Sequence, residues 1–265
     1  MEQTLIQEET MTKRLDDNGV TTLTLNRPKQ YNVLSEAMLT ALQTTLDEIA
    51  ADDSVRVVVI AAEGKAFCAG HNLKEMRAHP QKEYYDALFA QCSKMMMTIN
   101  QMPQPVIARV HGLATAAGCQ LVAACDMAVA ADTATFATSG IRVGLFCSTP
   151  AVAVSRNVSR KQAFEMLVTG EFIDAQTAVE QGLVNKAVPL DQLDATIAQL
   201  TEAITAKSAV AVRMGKEMFY QQIEMGMAEA YEYAAEVMAC NMMAEDAGEG
   251  IDAFIEKRPA VWKGK

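Results

Sequence analysis

The chain has 265 residues, of which 50% are apolar, 21% are charged and seven are proline. This composition excludes a disordered or low-complexity protein, and a formal charge of −10 argues against binding to nucleic acid or to an anionic membrane surface. No stretch approaches the roughly 18 apolar residues of a membrane span, and the first residues, MEQTLIQEET, are acidic where a targeting peptide would be basic. These features predict a cytoplasmic protein that lies free of membranes.

Cysteine and histidine spacing gives no sign of a metal site. The chain has three histidines and six cysteines, and no two of them stand in the short paired spacings of a zinc site. We therefore expect buried, reduced thiols and no bound metal. The cysteines are Cys68, Cys92, Cys119, Cys125, Cys147 and Cys240.

The first half of the chain reads as two strand and helix units. Residues 19–25 alternate between polar and apolar, and residues 55–62 form a β-branched run, so both predict strands. The stretch from Ser35 to Ala50 has helical periodicity with Ser35 as its N-cap. A helix over 82–101 and a strand over 105–111 repeat this order. Together they predict an α/β domain in layers.

A turn of small residues, Gly112 to Gly118, follows the second unit. It leads into CQLVAACD, which predicts a helix, and then into DMAVAAD, which predicts a strand. Small residues let the backbone approach a ligand closely, and they equally allow a helix to pack tightly on a sheet. The turn by itself leaves both interpretations open.

The last part of the chain is predicted to be helical. Periodic segments cover 191–206, 208–223 and 227–245, and a tail follows from Ile251. We therefore divide the chain into a core over 1–190 and a helical oligomerisation region over 191–265. Methionines on these helices predict self-association, with ordinary core packing as the alternative. They are Met214, Met218, Met225, Met227, Met238, Met242 and Met243.

Four short stretches of the chain, taken together and in their order along the sequence, resemble motifs of the crotonase superfamily, the enoyl-CoA hydratase/isomerase family. The resemblance covers nearly the whole chain, and it implies a spiral of ββα turns with a helical trimerisation region. It also implies a homotrimer or homohexamer and a role in fatty acid metabolism. The substrate would be an acyl-CoA thioester, with coenzyme A as part of the substrate and no covalently bound cofactor. The stretches are Asn26–Asn32, Lys65–Glu75, His111–Leu121 and Thr169–Ala175, the last followed by Gly182–Asn185.

The resemblance also implies roles for particular residues. The backbone N–H groups of His71 and Ala117 would form an oxyanion hole for the thioester oxygen. The His71 side chain could act as a base or bind the substrate, or the backbone alone could matter. The coenzyme A contacts would come from Lys29, Ala69, His71, Asn72, Leu73 and Lys74, where the two lysines would meet phosphates or simply be solvated.

The sequence departs from the family at both of its catalytic carboxylates. Gln120 and Gly140 stand where the two hydratase glutamates would be, and no Asp or Glu occurs from Thr133 to Phe164. An amide cannot act as a general base near neutral pH, so efficient hydration is not expected. Other candidates for acid/base groups are His71, Cys147, Glu83, Tyr84, Tyr85 and Asp86.

These departures leave two functions open. The first is a lyase or isomerase that stabilises the enolate of an acyl-CoA and uses relocated acid/base groups. The second is a catalytically silent protein that binds acyl-CoA or serves as a scaffold. A nucleic-acid-binding module is disfavoured by the acidic charge.

Overall fold

The computed structural model describes residues 11–265, which form ten strands in two sheets. In chain order the strands are β1 (Thr12–Asp17), β2 (Val20–Leu25), β3 (Val57–Ala62), β4 (Ala66–Cys68), β5 (Val106–Val110), β6 (Leu113–Thr115), β7 (Met127–Ala131), β8 (Thr135–Ala137), β9 (Ile173–Asp174) and β10 (Lys186–Val188). The larger sheet has the order β1-β2-β3-β5-β7-β10, and the smaller has the order β4-β6-β8-β9.

Eleven α-helices occur in the same residues. They are α1 (Glu36–Ala50), α2 (Leu73–Ala78), α3 (Lys82–Gln101), α4 (Ala117–Ala124), α5 (Ser148–Asn157), α6 (Arg160–Thr169), α7 (Ala175–Glu180), α8 (Leu193–Thr205), α9 (Ala209–Gln222), α10 (Met227–Met242) and α11 (Glu245–Glu256). None of the helices in the described range combines the length and apolarity needed to cross a membrane.

The chain alternates between the two sheets. Strands β3, β5 and β7 pair in parallel in the larger sheet, and the strand that follows each of them, β4, β6 or β8, pairs in parallel in the smaller one. One or more helices then return the chain to the larger sheet. Each turn of the spiral is thus a ββα unit, which confirms the fold class expected from the resemblance.

The main core lies between the sheets and the helices, and a second cluster covers the outer face of the larger sheet. In this second cluster, Val57, Val59 and Ile107 pack against Leu193 and Ile197 of α8. Both faces of β3 are therefore buried, which explains its run of apolar residues. The division of the chain at residue 190 stays a prediction.

Local signals predicted several elements correctly. Helix α1 begins after Ser35, whose side chain accepts a hydrogen bond from Met38 N, and α3 has the predicted bounds. The prediction of one helix over 227–245 was wrong, and so was the tail from Ile251. The extended backbone of Ala244 separates α10 from α11, and two acidic residues follow in the first turn of α11, where negative charge is favourable.

A buried ion pair fastens α9 to the core. The ammonium of Lys216 lies 2.7 Å from Asp126 Oδ2, and it also donates to the carbonyls of Ile99 and Gln104 at 2.8 and 2.9 Å. The Tyr220 hydroxyl donates to the other Asp126 oxygen at 2.7 Å. Because every charged group here has partners, the pair is tolerated inside the protein.

One buried carboxylate binds the C-terminal tail, residues 257–265, which follows α11. Asp246 is 2% exposed and accepts hydrogen bonds from Ser208 Oγ and from the N–H groups of Lys263 and Gly264. Burial alone raises the pKa of Asp246, but these hydrogen bonds outweigh it, so the net pKa is lowered. The indole of Trp262 donates to a backbone carbonyl just after α8, at 2.8 Å.

Candidate active site

The two segments expected to supply the oxyanion hole are in contact. Gly70 has φ +89°, and a Cβ placed on it would lie 2.9 Å from Ala116 Cβ and 3.3 Å from Ala117 N. Ala117 is the first residue of α4, so its N–H has no acceptor within the helix. The structure therefore brings the backbone of His71, next to Gly70, close to the free N–H at the start of α4.

An unusual backbone conformation at Ala116 sets the direction of the Ala117 N–H. Ala116 has φ 52° and ψ −121°, which glycine adopts readily and alanine rarely does. Its N–H donates to Ala137 O at 2.9 Å, and its carbonyl accepts from Gln120 N at 3.1 Å. The sheet on one side and the helix on the other thus hold this turn. Sequence reasoning missed this strain, because alanine is an ordinary helix former.

The His71 side chain is fixed on one side of its ring. Leu34 N donates to Gly70 O at 2.8 Å in an isolated parallel bridge, which turns the His71 N–H away from Leu34. The His71 Nδ1 lies 3.2 Å from Leu34 O, and the Phe89 ring meets the imidazole edge to face, with 5.5 Å between centroids. Burial lowers the pKa of His71. Sequence reasoning missed both Leu34 and Phe89, because nothing near them in the chain pointed to His71.

The Asn26–Asn32 motif has a clear structural task. Asn32 is fully buried, and its amide donates to the carbonyls of Glu63 and Ala66, each at 2.8 Å. Its Oδ1 accepts from Arg27 N at 2.8 Å. The motif therefore fixes the start of β4, the strand that runs directly into the His71 segment.

The residues expected to contact coenzyme A are mostly on the surface. Lys29, Leu73 and Lys74 are exposed, and Ala69 is half-buried. Within residues 11–265, neither lysine makes an ion pair with a carboxylate, so both ammonium groups are open to solvent. The Asn72 side chain caps α2 by accepting from the N–H groups of Lys74 and Glu75 at 3.2 and 3.4 Å. Because this cap engages the Asn72 side chain, only the backbone of Asn72 is available to contact coenzyme A.

Gln120 lies inside the protein, three residues after Ala117. This spacing puts both residues on one face of α4. Gln120 is 4% exposed, and its Oε1 is buried with no hydrogen-bond partner among the described residues. A buried, unpaired acceptor is costly unless water or a ligand donates to it, so the geometry marks this face of α4 as a place for a polar group.

The acidic candidates on α3 face solvent. Glu83 and Asp86 are exposed, and Asp86 pairs with Lys82 one helical turn earlier at 2.6 Å. An exposed carboxylate engaged with a neighbour on its own helix is poorly placed to act in a buried site. The structure does not bring these two acids to the His71 and Ala117 backbone.

The two tyrosine candidates on α3 are hydrogen-bonded elsewhere. The Tyr84 hydroxyl donates to Glu36 Oε2 at 3.2 Å, and the Tyr85 hydroxyl donates to Met76 O at 3.0 Å. Burial and the nearby Glu36 carboxylate raise the pKa of Tyr84 to about 12. Tyr84 therefore stays protonated near neutral pH and has no tendency to act as a base.

Comparison with known proteins settles the family. A family model described as enoyl-CoA hydratase/isomerase matches residues 16–265. The chain belongs to the enoyl-CoA hydratase/isomerase family. Its fold superposes on the crystal structure of an enoyl-CoA hydratase from Mycobacterium smegmatis with a TM-score of 0.95 and 59% identity, covering 96% of this chain and 99% of that one. The crystal structure of human enoyl-CoA hydratase domain-containing protein 3 superposes with a TM-score of 0.93 and 45% identity, covering 95% of this chain and 100% of that one.

The predicted cytoplasmic location was wrong. The rat protein named "Enoyl-CoA hydratase domain-containing protein 3, mitochondrial" is 45% identical over 255 residues, which cover 96% of this chain and 85% of that protein. Mouse, Xenopus and human relatives at 45–46% identity carry the same mitochondrial name. The prediction rested on the acidic first residues, and such a local composition does not decide a compartment.

There is no room for a side chain at Gly140, the residue that the sequence resemblance predicts to replace the second glutamate. A Cβ on Gly140 would lie 2.7 Å from Leu145 O and 2.8 Å from Cys147 Sγ. The Gly140 N–H donates to the same sulfur at 3.3 Å. Burial raises the pKa of Cys147, which makes the thiol a packing group rather than a reactive one. No side chain fits at residue 140 unless the backbone or the thiol moves.

Proposed function

We propose that the protein binds an acyl-CoA thioester and stabilises its enolate with the N–H groups of His71 and Ala117. The observation that carries this proposal is the unpaired N–H at the start of α4, which lies against the Gly70–His71 backbone. Charge that develops on the thioester oxygen would meet two fixed donors and the positive end of a helix. Coenzyme A takes part as a portion of the substrate.

Efficient hydration of an enoyl-CoA is not part of this proposal. Gln120 can hold a water molecule but cannot remove its proton, and Gly140 has no side chain to donate one. The loss of each acid/base group costs about 10²-fold to 10⁴-fold in rate. The reaction is therefore one that proceeds through an enolate without these two carboxylates.

Binding without turnover is the second candidate function. It is favoured by one observation: Leu145 O and Cys147 Sγ leave no room for a side chain at Gly140, the residue predicted to replace the second glutamate. A chain that only holds acyl-CoA would have no need of that space. A screen of CoA thioesters for turnover, together with a binding measurement, separates the two functions.

The remaining binding contacts follow from the exposed basic groups near the site. We propose that Lys29 and Lys74 meet the phosphates of coenzyme A, and that Ala69, Asn72 and Leu73 contact its adenine and pantetheine through their backbone. A bare ammonium on an acidic chain is a suitable local partner for a polyphosphate.

We also propose that the protein assembles as a homotrimer or homohexamer. Large apolar side chains stay exposed along the C-terminal helices, and a monomer rarely leaves so many uncovered. Static light scattering tests this assembly, and a stable monomer would contradict it. The side chains are Phe219, Ile223, Met227, Tyr231, Met238, Met242, Met243, Phe254 and Ile255.

The oxyanion hole is tested by removing one donor. Proline is tolerated at the first residue of a helix, but its ring would clash with the Cβ of Ala116 in the conformation that Ala116 adopts. Ala117→Pro is therefore made in the Ala116→Gly background, where it deletes the N–H without that clash. We expect butyryl-CoA to bind about tenfold more weakly, as for a lost hydrogen bond of about 1.4 kcal/mol. Ala209→Pro, at the first residue of α9, makes the same change outside the site and should leave binding intact. Equal affinity in both folded variants would refute the assignment.

A further inference from the structure

In the His71 imidazole, one ring nitrogen is hydrogen-bonded and the other has no hydrogen-bond partner among the described residues. Nδ1 lies 3.2 Å from Leu34 O, and a carbonyl oxygen can only accept, so Nδ1 carries the proton of the neutral ring. Nε2 is then an acceptor. It is buried, and no described residue donates to it. The ring therefore has a buried, unprotonated nitrogen that makes no hydrogen bond within the fold.

The free nitrogen and the backbone N–H of His71 both point away from Leu34. Because Nδ1 points to Leu34, the opposite side of the ring, with Nε2, points away from Leu34. The His71 N–H also turns away from Leu34, since Leu34 is the bridge partner of His71 and donates its own N–H to Gly70 O. Phe89 of α3 supports the ring at its edge. Because Nε2 and this donor belong to the same residue, a thioester carbonyl held by the donor would lie close to the ring.

Enolate formation needs a base, and the usual ones are absent. Gln120 has no basic atom at neutral pH, Gly140 has no side chain, and Glu83 and Asp86 are exposed on α3. A proton on the carbon beside the thioester carbonyl would have to move to another acceptor. Among these groups, only His71 has a basic lone pair on a buried atom, and its own backbone supplies one of the proposed donors.

We propose that Nε2 of His71 removes and returns the α-proton of an acyl thioester whose carbonyl oxygen lies against the N–H groups of His71 and Ala117. This inference rests on the proposed function. The α C–H bond breaks, its electron pair forms the carbon–carbon double bond of the enolate, and the carbonyl π pair moves to oxygen. The proton goes to Nε2, giving an imidazolium that returns it to the α-carbon.

The surroundings of His71 keep its imidazole neutral and able to accept a proton. Burial lowers the pKa of His71, so the ring is neutral at physiological pH and its lone pair is available. An ordinary glutamate has a pKa of about 4.3 and an ordinary histidine about 6.5, so a histidine with a lowered pKa is still comparable with a carboxylate as a base. A fixed ring also loses little entropy on reaction.

Deuterium exchange into butyryl-CoA tests the proposal, because this saturated thioester cannot be hydrated. In D₂O, the wild-type protein should speed exchange of the α-protons, as measured by mass spectrometry. His71→Ala keeps the backbone N–H but loses the base, so exchange should fall by about 10²-fold or more while butyryl-CoA still binds. His71→Asn, which keeps an N–H for Leu34 O, should lose exchange in the same way.

A matched control and two outcomes make the result decisive. His79→Ala changes an exposed histidine at the end of α2 and should leave exchange unchanged. Exchange that survives in both folded His71 variants would overturn the role of His71 alone. Binding of butyryl-CoA by the wild type without exchange would overturn that role and favour binding without turnover as the function. Failure of the wild type to bind butyryl-CoA would instead remove the proposed function, and this inference with it.

Discussion

Replacing Ala116 by glycine should make the protein more stable. Ala116 holds φ 52° and ψ −121° in the turn before α4. Strained backbone of this kind costs about 1–3 kcal/mol for a residue with a Cβ. Glycine removes that strain but makes the unfolded chain more flexible, at a cost of about 0.4–1 kcal/mol. The balance is a gain of about 1 kcal/mol in the free energy of unfolding.

The neighbouring residue supplies a matched control of opposite sign. Ala117 has ordinary helical backbone and is 1% exposed. Ala117→Gly loses helix propensity and a buried methyl group, for a total cost of about 1–2 kcal/mol. The two variants make the same chemical change one residue apart, so their unfolding free energies should differ by about 2–3 kcal/mol.

Urea unfolding followed by circular dichroism measures this difference. We expect the midpoint to rise for Ala116→Gly and to fall for Ala117→Gly, with unchanged slopes. Butyryl-CoA binding should survive in both, because both keep the Ala117 N–H. If Ala116→Gly were as destabilising as Ala117→Gly, the turn would not be strained, and the direction assigned to the Ala117 N–H would be wrong.

Three further predictions concern the frame around the site. Lys216→Met should cost about 3 kcal/mol in urea unfolding because it leaves a buried carboxylate unpaired, whereas loss of the exposed ion pair in Arg156→Met should cost less than about 1 kcal/mol. Because the pKa of Asp246 is lowered in the folded protein, its ionised carboxylate stabilises the docked tail at pH values above about 3.9, the ordinary aspartate pKa. This stabilisation is lost as the pH falls below that value and through the lowered pKa. The fluorescence of Trp262, the only tryptophan, should report release of the tail in acid, and Asp246→Asn should abolish this pH dependence. Gly140→Ala should destabilise by about 1–3 kcal/mol, as seen by thermal unfolding, because the added Cβ meets the backbone oxygen of Leu145 as well as the Cys147 thiol.

Sequence reasoning succeeded where the signal is local. Ser35 caps α1, and the apolar period over 82–101 gives α3 its bounds, because both features depend on neighbours within a few residues. The order of four short motifs was enough for the family and the fold. The start of α4 at Ala117, rather than at Cys119, was missed because small residues are common in turns as well as in helices.

The arrangement of the candidate site depended on contacts between distant segments. Leu34 fixes the ring of His71 across 37 residues, and Leu145 with Cys147 closes the space at Gly140. Such contacts are set by packing, and no local pattern encodes them. The replacement of two carboxylates by Gln120 and Gly140 stays a prediction from the resemblance, whereas the lack of space at Gly140 is visible only in the structure.

The central claim is that the N–H groups of His71 and Ala117 hold a thioester oxygen. A crystal structure with a ketone analogue of butyryl-CoA, in which a methylene replaces the thioester sulfur, tests this most directly. We expect the carbonyl oxygen at about 2.7–3.1 Å from both backbone nitrogens, the range for an oxyanion hole. An analogue bound with its carbonyl oxygen away from either nitrogen would contradict it.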